Sequence, residues 1–241
     1  MDVAHDPTSP RETRRGRYRA AQLRGDRRGA SAVILEEGLA GGFTTADLQA
    51  VVQEAQREIG RLWEENRVSI AQEHMATAIS QIVLAHLYDR AERARDRGQK
   101  LWVACVEGEL HDLPARLAAD TADLAGFDVR FLGANVPTDS LVEMVRAERP
   151  DVLALSVTLS FNVPALRTAV SRLREAFGDG LPLVIGGNAL RWAPTLAAHL
   201  GVRLFEEMYR DPFWEELSRE LAIKRIRDAL EKAGVGAVRK E

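Results

Sequence analysis

Only one cysteine, Cys105, occurs in 241 residues. An intramolecular disulfide cannot form, and a thiolate metal cluster is excluded. Cys105 stands inside an apolar run, the usual place of a buried, inert thiol. No apolar stretch reaches the roughly 18–20 residues that a membrane-spanning helix needs. The residues Met1-Asp2-Val3-Ala4-His5-Asp6 carry no apolar signal region, so the expected compartment is the cytoplasm. A strong net charge is missing too. The formal charge is −3, which gives no general attraction to nucleic acid or acidic membranes. Nothing resembles a catalytic triad or a phosphate-binding loop, and there is no internal repeat. What remains is 46% hydrophobic and 29% charged residues, the composition of a globular protein with length to bury one large core or two small ones.

Basic residues are unevenly spread. Eight Arg lie between Arg11 and Arg28, against Glu12 and Asp26. A solvated, partly disordered arm is the plain reading; contact with nucleic acid or an acidic partner is the alternative. Residues 1–13, with two Pro, read as a flexible tail. From 14 to 97 the periodicity is helical, and four helices with short connections predict an antiparallel bundle. Leu48, Val51, Val52, Ala55, Ile59 and Leu62 make one apolar stripe, capped by Thr44 or Thr45. Ser69-Ile70-Ala71-Gln72 has capping-box spacing and opens the next helix. Arg17–Arg24 and Ala30–Leu39 read as two shorter helices.

The polar break Asp96-Arg97-Gly98-Gln99-Lys100 ends this pattern. Short apolar runs at Leu101–Val106, Val129–Leu132, Val152–Val157, Leu183–Ile185 and Val202–Phe205 then alternate with helical stretches at Ala115–Ala125, Ser140–Ala147, Pro164–Phe177 and Ala193–Leu200. This predicts an α/β fold over 98–241, a doubly wound, flavodoxin-like or Rossmann-like parallel sheet of five strands. Ligands in such sheets sit beyond the carboxyl ends of the strands, at the switch point. A highly charged helix with Trp214 and Leu217 is expected over 212–234, packing on the sheet or on another subunit.

His111 lies just past the first strand, in Glu109-Leu110-His111-Asp112-Leu113-Pro114; Ser156 and Gly186-Gly187 end later strands. A lone loop His is most simply bonded to backbone. Its register with Ser156 and the Gly pair resembles the cobalamin-binding domain, whose signature is Asp-x-His-x-x-Gly, Ser-x-Leu and Gly-Gly. The resemblance covers roughly 15–205. It implies cobalamin bound base-off, with His111 as the lower axial ligand of cobalt, a metal that imidazole suits. Glu109 stands where the family has Asp, with Asp112 as a second candidate to hold the ring of His111. Ser156 would bind a nitrogen of the buried base, and Gly186 and Gly187 would let the slender nucleotide tail pass close to the backbone. Thr158 replaces the Leu of Ser-x-Leu, Pro114 replaces the Gly after the His, and Asn135 shapes the neighbouring loop.

Trp63, nine residues, then Glu73-His74 resembles the helical cap of light-sensing adenosylcobalamin-dependent repressors. There the pattern implies an adenosyl group shielded by Trp63, a ribose hydroxyl bonded to Glu73, and His74 near the upper axial position. Those regulators have a His directly after the Trp. Glu64 stands here instead, so an upper ligand after photolysis would be water, His74 or His5. Residues 1–40 are too short and poorly patterned for the repressors' DNA-binding domain, and direct DNA binding is not expected. The expected function is therefore a non-enzymatic, photoresponsive cobalamin sensor acting through a protein partner or a homo-oligomer. The alternative is a corrinoid methyl carrier of a methyltransferase system; the small subunit of an adenosylcobalamin mutase fits less well, because it lacks such a cap. His86 and His199 are expected to be structural or surface residues.

Overall fold

The computed structural model describes residues 9–204. The expected helix over 212–234, Phe205 and His5 lie outside the described residues. Contacts divide the chain into two compact units. Among the described residues, one runs to Asp96 and adds Arg116–Gly126; the other holds Arg97–Ala115 and the residues from Phe127 to Leu204.

The first unit is helical. Helix α1 spans Pro10–Leu23, and Ser9 Oγ accepts from Glu12 N at 3.2 Å with Pro10 in the first turn. Residues 10–13 therefore correct the expected flexible tail, because a Ser cap followed by Pro starts a helix well. The arginines also depart from a solvated arm. Arg11 pairs with Glu54 at 2.6 Å, Arg15 with Glu12 at 2.5 Å, Arg17 with Glu37 at 2.5 Å, and Arg19 with Glu58. Next come α2 (Arg27–Ser31), a π-helical turn (Ala32–Glu36) and α3 (Glu37–Ala40), one helical stretch that is locally underwound. Helices α4 (Thr45–Glu64) and α5 (Ile70–Tyr88) each open on a complete capping box, Thr44 with Asp47 and Ser69 with Gln72. Between them Asn66 takes φ 56° and Arg67 N donates to Leu62 O at 2.8 Å, which closes α4 and reverses the chain.

Val51, Val52, Ala55 and Ile59 of α4, with Val83, Leu84 and Leu87 of α5 and Tyr18 of α1, are fully buried. Each large side chain of that kind contributes about 1.5–3 kcal/mol by leaving water. A polar seam runs through the same interior. Gln22 Nε2 lies 2.9 Å from Ser80 Oγ and 2.8 Å from Gln56 Oε1, and Gln56 Nε2 donates to Thr77 Oγ1 at 2.7 Å. Most of helix α6 (Leu113–Leu124) groups with these helices. The local cause is plain: Tyr88 Oη donates to Asp123 at 2.5 Å, and Ala94 N donates to Leu124 O at 2.7 Å.

The second unit is a parallel five-stranded sheet. Strands β1 (Lys100–Cys105), β2 (Asp128–Gly133), β3 (Val152–Ser156), β4 (Leu183–Gly186) and β5 (Arg203–Leu204) lie in the order β2-β1-β3-β4-β5. This is the flavodoxin-like order expected from the sequence. Helices α7 (Thr138–Glu148), α8 (Val163–Phe177) and α9 (Leu196–Leu200) cover one face, where Leu141, Val145, Leu166, Val170 and Leu196 pack on Trp102, Leu153, Leu155 and Ile185. Near-continuous apolar strands are what a buried parallel sheet demands. The expected helix over Ala193–Leu200 is shorter; a 3₁₀ turn at Asn188–Trp192 precedes it.

Register decides where the site lies. Cys105 pairs with Ser156, and Ser156 with Gly186, so β1, β3 and β4 all end in one row. The loops that leave this row carry the candidate residues.

Candidate functional site

The order β2-β1-β3 reverses the direction of winding between β1 and β3, and the loops that follow them flank that switch point. Glu109 leaves the end of β1 and turns its side chain wholly inward, at 0% exposure, while His111 stays part-exposed. Five N–H groups converge on the Glu109 carboxylate. Oε1 accepts from His111 Nδ1 at 2.7 Å and from His111 N at 2.9 Å. Oε2 accepts from Thr158 N at 2.8 Å, Leu159 N at 3.0 Å and Asn162 Nδ2 at 3.0 Å. One side chain thus ties the loop after β1 to the loop after β3.

The electrostatics follow. Burial would raise the carboxyl, but the imidazole, the Leu159 N–H, the Asn162 amide and the His111 N–H outweigh it and hold Glu109 down at about 2. An ionised carboxylate only accepts, so Nδ1 of His111 must donate, and in the neutral ring Nε2 carries the lone pair. The extra methylene of Glu109, relative to Asp, therefore reaches His111.

The surrounding loops are fixed in the same manner. Asn135, at φ 50°, accepts from Gly108 N through Oδ1 at 2.7 Å, and its own N donates to Glu109 O at 2.8 Å. Glu107 accepts from Thr138 N at 3.2 Å, tying the same loop to α7. Ser156 is buried beside Cys105, whose thiol is pushed up to about 12, first by burial and then by Asp112 and Glu109. Cys105 is thus an inert thiol, as its position in the sequence suggested. Gly187 has φ 113°, and a Cβ there would sit 2.0 Å from Val157 O, so only glycine fits. Thr158 Oγ1 is buried without a hydrogen-bond partner.

Asn162 was not foreseen. Directly before a Val-Pro helix start it reads as a helix cap, yet it makes no cap bond and instead reaches back to Glu109. Only the fold, not local spacing, brings it there.

The other expected residues lie in the helical unit. Trp63, in the last turn of α4, is 39% exposed. Glu73 accepts from Thr77 Oγ1 at 2.8 Å, and its other oxygen lies 2.7 Å from His74 Nδ1. The bond from Gln56 to Thr77 sets the register of the two helices. Trp63 and Glu73 stand on either side of the short connection between α4 and α5. Glu64 is exposed, as are His86 on α5 and His199 on α9.

Seven expected residues, Glu109, His111, Asn135, Ser156, Thr158, Gly186 and Gly187, thus share the carboxyl edge of the sheet. Three more, Trp63, Glu73 and His74, share the α4–α5 end of the helical unit. Among the described residues no group of three or more His, Cys, Asp or Glu side chains is placed to hold a metal ion. A single oriented imidazole suits a metal already chelated by a macrocycle. The orphaned Thr158 hydroxyl at the carboxyl edge fits a polar group of the nucleotide tail of a cobalamin.

Comparison with known proteins agrees. Residues 99–207 match the B12 binding domain family, and residues 15–88 match a second family model of the same description. The HTH-type transcriptional repressor CarH of Myxococcus xanthus is 32% identical over 149 residues, covering 62% of this chain and 49% of the repressor. The chain thus spans about half the length of that relative. Trimethylamine corrinoid protein 1 of Methanosarcina acetivorans is 25% identical over 179 residues, with 70% of this chain and 82% of that protein covered. The solved monomethylamine corrinoid protein of Methanosarcina barkeri shares the fold, with a TM-score of 0.64 at 20% identity over 78% of this chain and 89% of that one. No helix among the described residues is long and apolar enough to cross a membrane.

Proposed function

This chain is a B12-binding domain protein with an N-terminal helical cap, and we propose that it is a light-responsive cobalamin sensor acting through a protein partner. Bound here, cobalamin would supply a cobalt centre and, in its alkyl forms, a cobalt–carbon bond that light can cleave. His111 is the lower ligand in this reading, and Glu109 fixes its tautomer and ring plane. Ser156, Thr158, Gly186 and Gly187 receive the nucleotide tail, and Asn135 holds the β1 loop in shape.

One observation carries the choice of sensor over carrier: Trp63 closes α4 and Glu73 and His74 open α5 at the same end of the cap, with Glu73 already oriented by Thr77 and His74. Trp63 offers an apolar surface, and Glu73 offers a carboxylate to ribose hydroxyls. Together they favour an adenosyl group over a methyl group. A ligand shifts a conformational equilibrium only by its difference in affinity for the two states. Trp63 and Glu73 have that difference to give for adenosyl, and they lose it in the light. His74 would be the cap residue to hold cobalt in place of the absent His at Glu64.

The second reading, a corrinoid methyl carrier, is favoured by the corrinoid protein matched over 82% of its own length. The test separates the two. The chain should bind adenosylcobalamin more tightly than methylcobalamin, Trp63→Ala should erase the difference, and green light should change the elution volume of the adenosyl form. Spectra of His74→Ala after illumination check the upper ligand. Equal affinity for both cofactors, with unchanged elution in light, would favour the methyl carrier.

A further inference from the structure

A chain of hydrogen bonds inside the helical unit ends on Glu73, and it runs in one direction. Its inner end is Gln22 on α1, fully buried with Ser80. Gln22 Nε2 lies 3.0 Å from Ala76 O, 2.8 Å from Gln56 Oε1 and 2.9 Å from Ser80 Oγ. A backbone carbonyl can only accept, so Ala76 fixes which end of the Gln22 amide faces α5. Gln22 Oε1 is left buried without a hydrogen-bond partner, so the fold holds this orientation against a cost. The rest follows from it. Gln56 must offer its oxygen to Gln22, which turns Gln56 Nε2 to Thr77 Oγ1 at 2.7 Å. Thr77 Oγ1 accepts there, and its own hydrogen goes to Glu73 Oε1 at 2.8 Å.

That last bond departs from habit. A Thr inside a helix readily donates to the carbonyl four residues back. Thr121 does so to Leu117 O at 2.7 Å, and Thr168 to Pro164 O at 3.1 Å. Thr77 donates instead to the side chain of the residue four back. Gln56 accounts for the difference, because its N–H takes a lone pair of Thr77 Oγ1 and limits where the hydroxyl hydrogen can point. Glu73 is thereby held through one oxygen from within the bundle. The other, Oε2, lies 2.7 Å from Nδ1 of the exposed His74, and the Glu73 side chain is 17% exposed.

We infer that Thr77 and Gln56 are positioning residues for Glu73 that set the preference of the cap for a hydroxyl-bearing upper group. They fix Oε1 and leave Oε2 as the oxygen that meets a ligand, an acceptor for a hydroxyl and of no use to a methyl group. A carboxylate already held loses little side-chain freedom on binding. Donors aligned toward it also polarise one another, which strengthens the hold. The inference rests on the adenosyl reading of the cap and adds to it the residues that set the preference.

Affinities of the full chain for adenosylcobalamin and methylcobalamin, measured in the dark, test it. Thr77→Val removes the donor at nearly constant shape, and Gln56→Met removes the group that steers it. Each should lower adenosylcobalamin affinity about fivefold to tenfold, the worth of one hydrogen bond, and leave methylcobalamin unchanged. Thr77→Ser keeps the hydroxyl and should keep the preference. In a Glu73→Ala background, Thr77→Val should change the preference no further, since the two residues act as one unit. A purely structural Thr77 gives another pattern: a lower thermal midpoint and equal losses for both corrinoids. That pattern would overturn the inference. Should Thr77→Val fail to fold, the half-buried Gln56 decides through Gln56→Met. A wild-type preference that survives both substitutions overturns this inference alone. A wild-type chain with no preference overturns the adenosyl reading, and the inference with it.

Discussion

Glu109 meets His111 twice through one oxygen: Oε1 is 2.7 Å from Nδ1 and 2.9 Å from the backbone N of the same residue. Ring orientation and loop conformation are thus fixed by one atom. The other oxygen is taken by Thr158 N, Leu159 N and Asn162, so Glu109 cannot turn without breaking the loop after β3.

That arrangement predicts the effect of Glu109→Gln. An amide accepts on one side only, so either His111 or the Thr158 and Leu159 N–H groups lose their acceptor. Cobalamin affinity should fall by about 10–100-fold, as when a partner of a metal-bound His is removed. Stability should fall by about 1–3 kcal/mol, the cost of buried polar groups left unpaired. A visible titration and a denaturant melt measure the two. Full affinity in the variant would show that Glu109 does not position His111.

Gly187→Ala is predicted to fail for a different reason. At φ 113° the new Cβ would stand 2.0 Å from Val157 O, and Val157 N is held by Gly186 O at 2.9 Å. The β4 loop must move. Strain of this kind costs about 1–3 kcal/mol. The thermal midpoint should drop, and cobalamin should bind at least tenfold more weakly, on the order of the loss of a well-formed contact. A variant with unchanged midpoint and affinity would contradict the close approach at this position.

Asp120 on α6 gives a pH signature. Burial raises its carboxyl, Arg116 opposes and Asp123 adds to the rise, and the result is about 6 against an ordinary 3.8. The folded state keeps a proton here that the unfolded state releases, so this group costs stability as pH rises from about 4 to about 6. Asp120→Asn should match wild type below pH 4 and exceed it at pH 7, by about 1 kcal/mol once partial exposure is allowed for. Melts across this range read the difference directly. A gap that did not change with pH would mean that Asp120 is not held protonated.

Much of this was legible before any coordinates. The change from helical to short apolar runs after Lys100 separates the helical stretch from the sheet, and the two capping boxes mark the starts of α4 and α5. His111, Ser156 and Gly187 were legible because each sits at a strand end, where local pattern and site coincide. Asn162 was not, because its partner Glu109 is distant in sequence and meets it only when β1 and β3 pair. The grouping of α6 with the N-terminal helices was hidden likewise, since it depends on Tyr88 finding Asp123. The start of α1 was missed because two Pro in a polar stretch read as disorder, although Ser9-Pro10 is a good helix start.

The row in which the three strands end is Cys105, Ser156 and Gly186. Across it the side chain shrinks from thiol to hydroxyl to a single hydrogen. Parallel pairing runs through the main chain and does not itself require that gradient. All three positions are buried, so a larger side chain at any of them would take up a ligand's room and crowd the neighbouring packing in the same step.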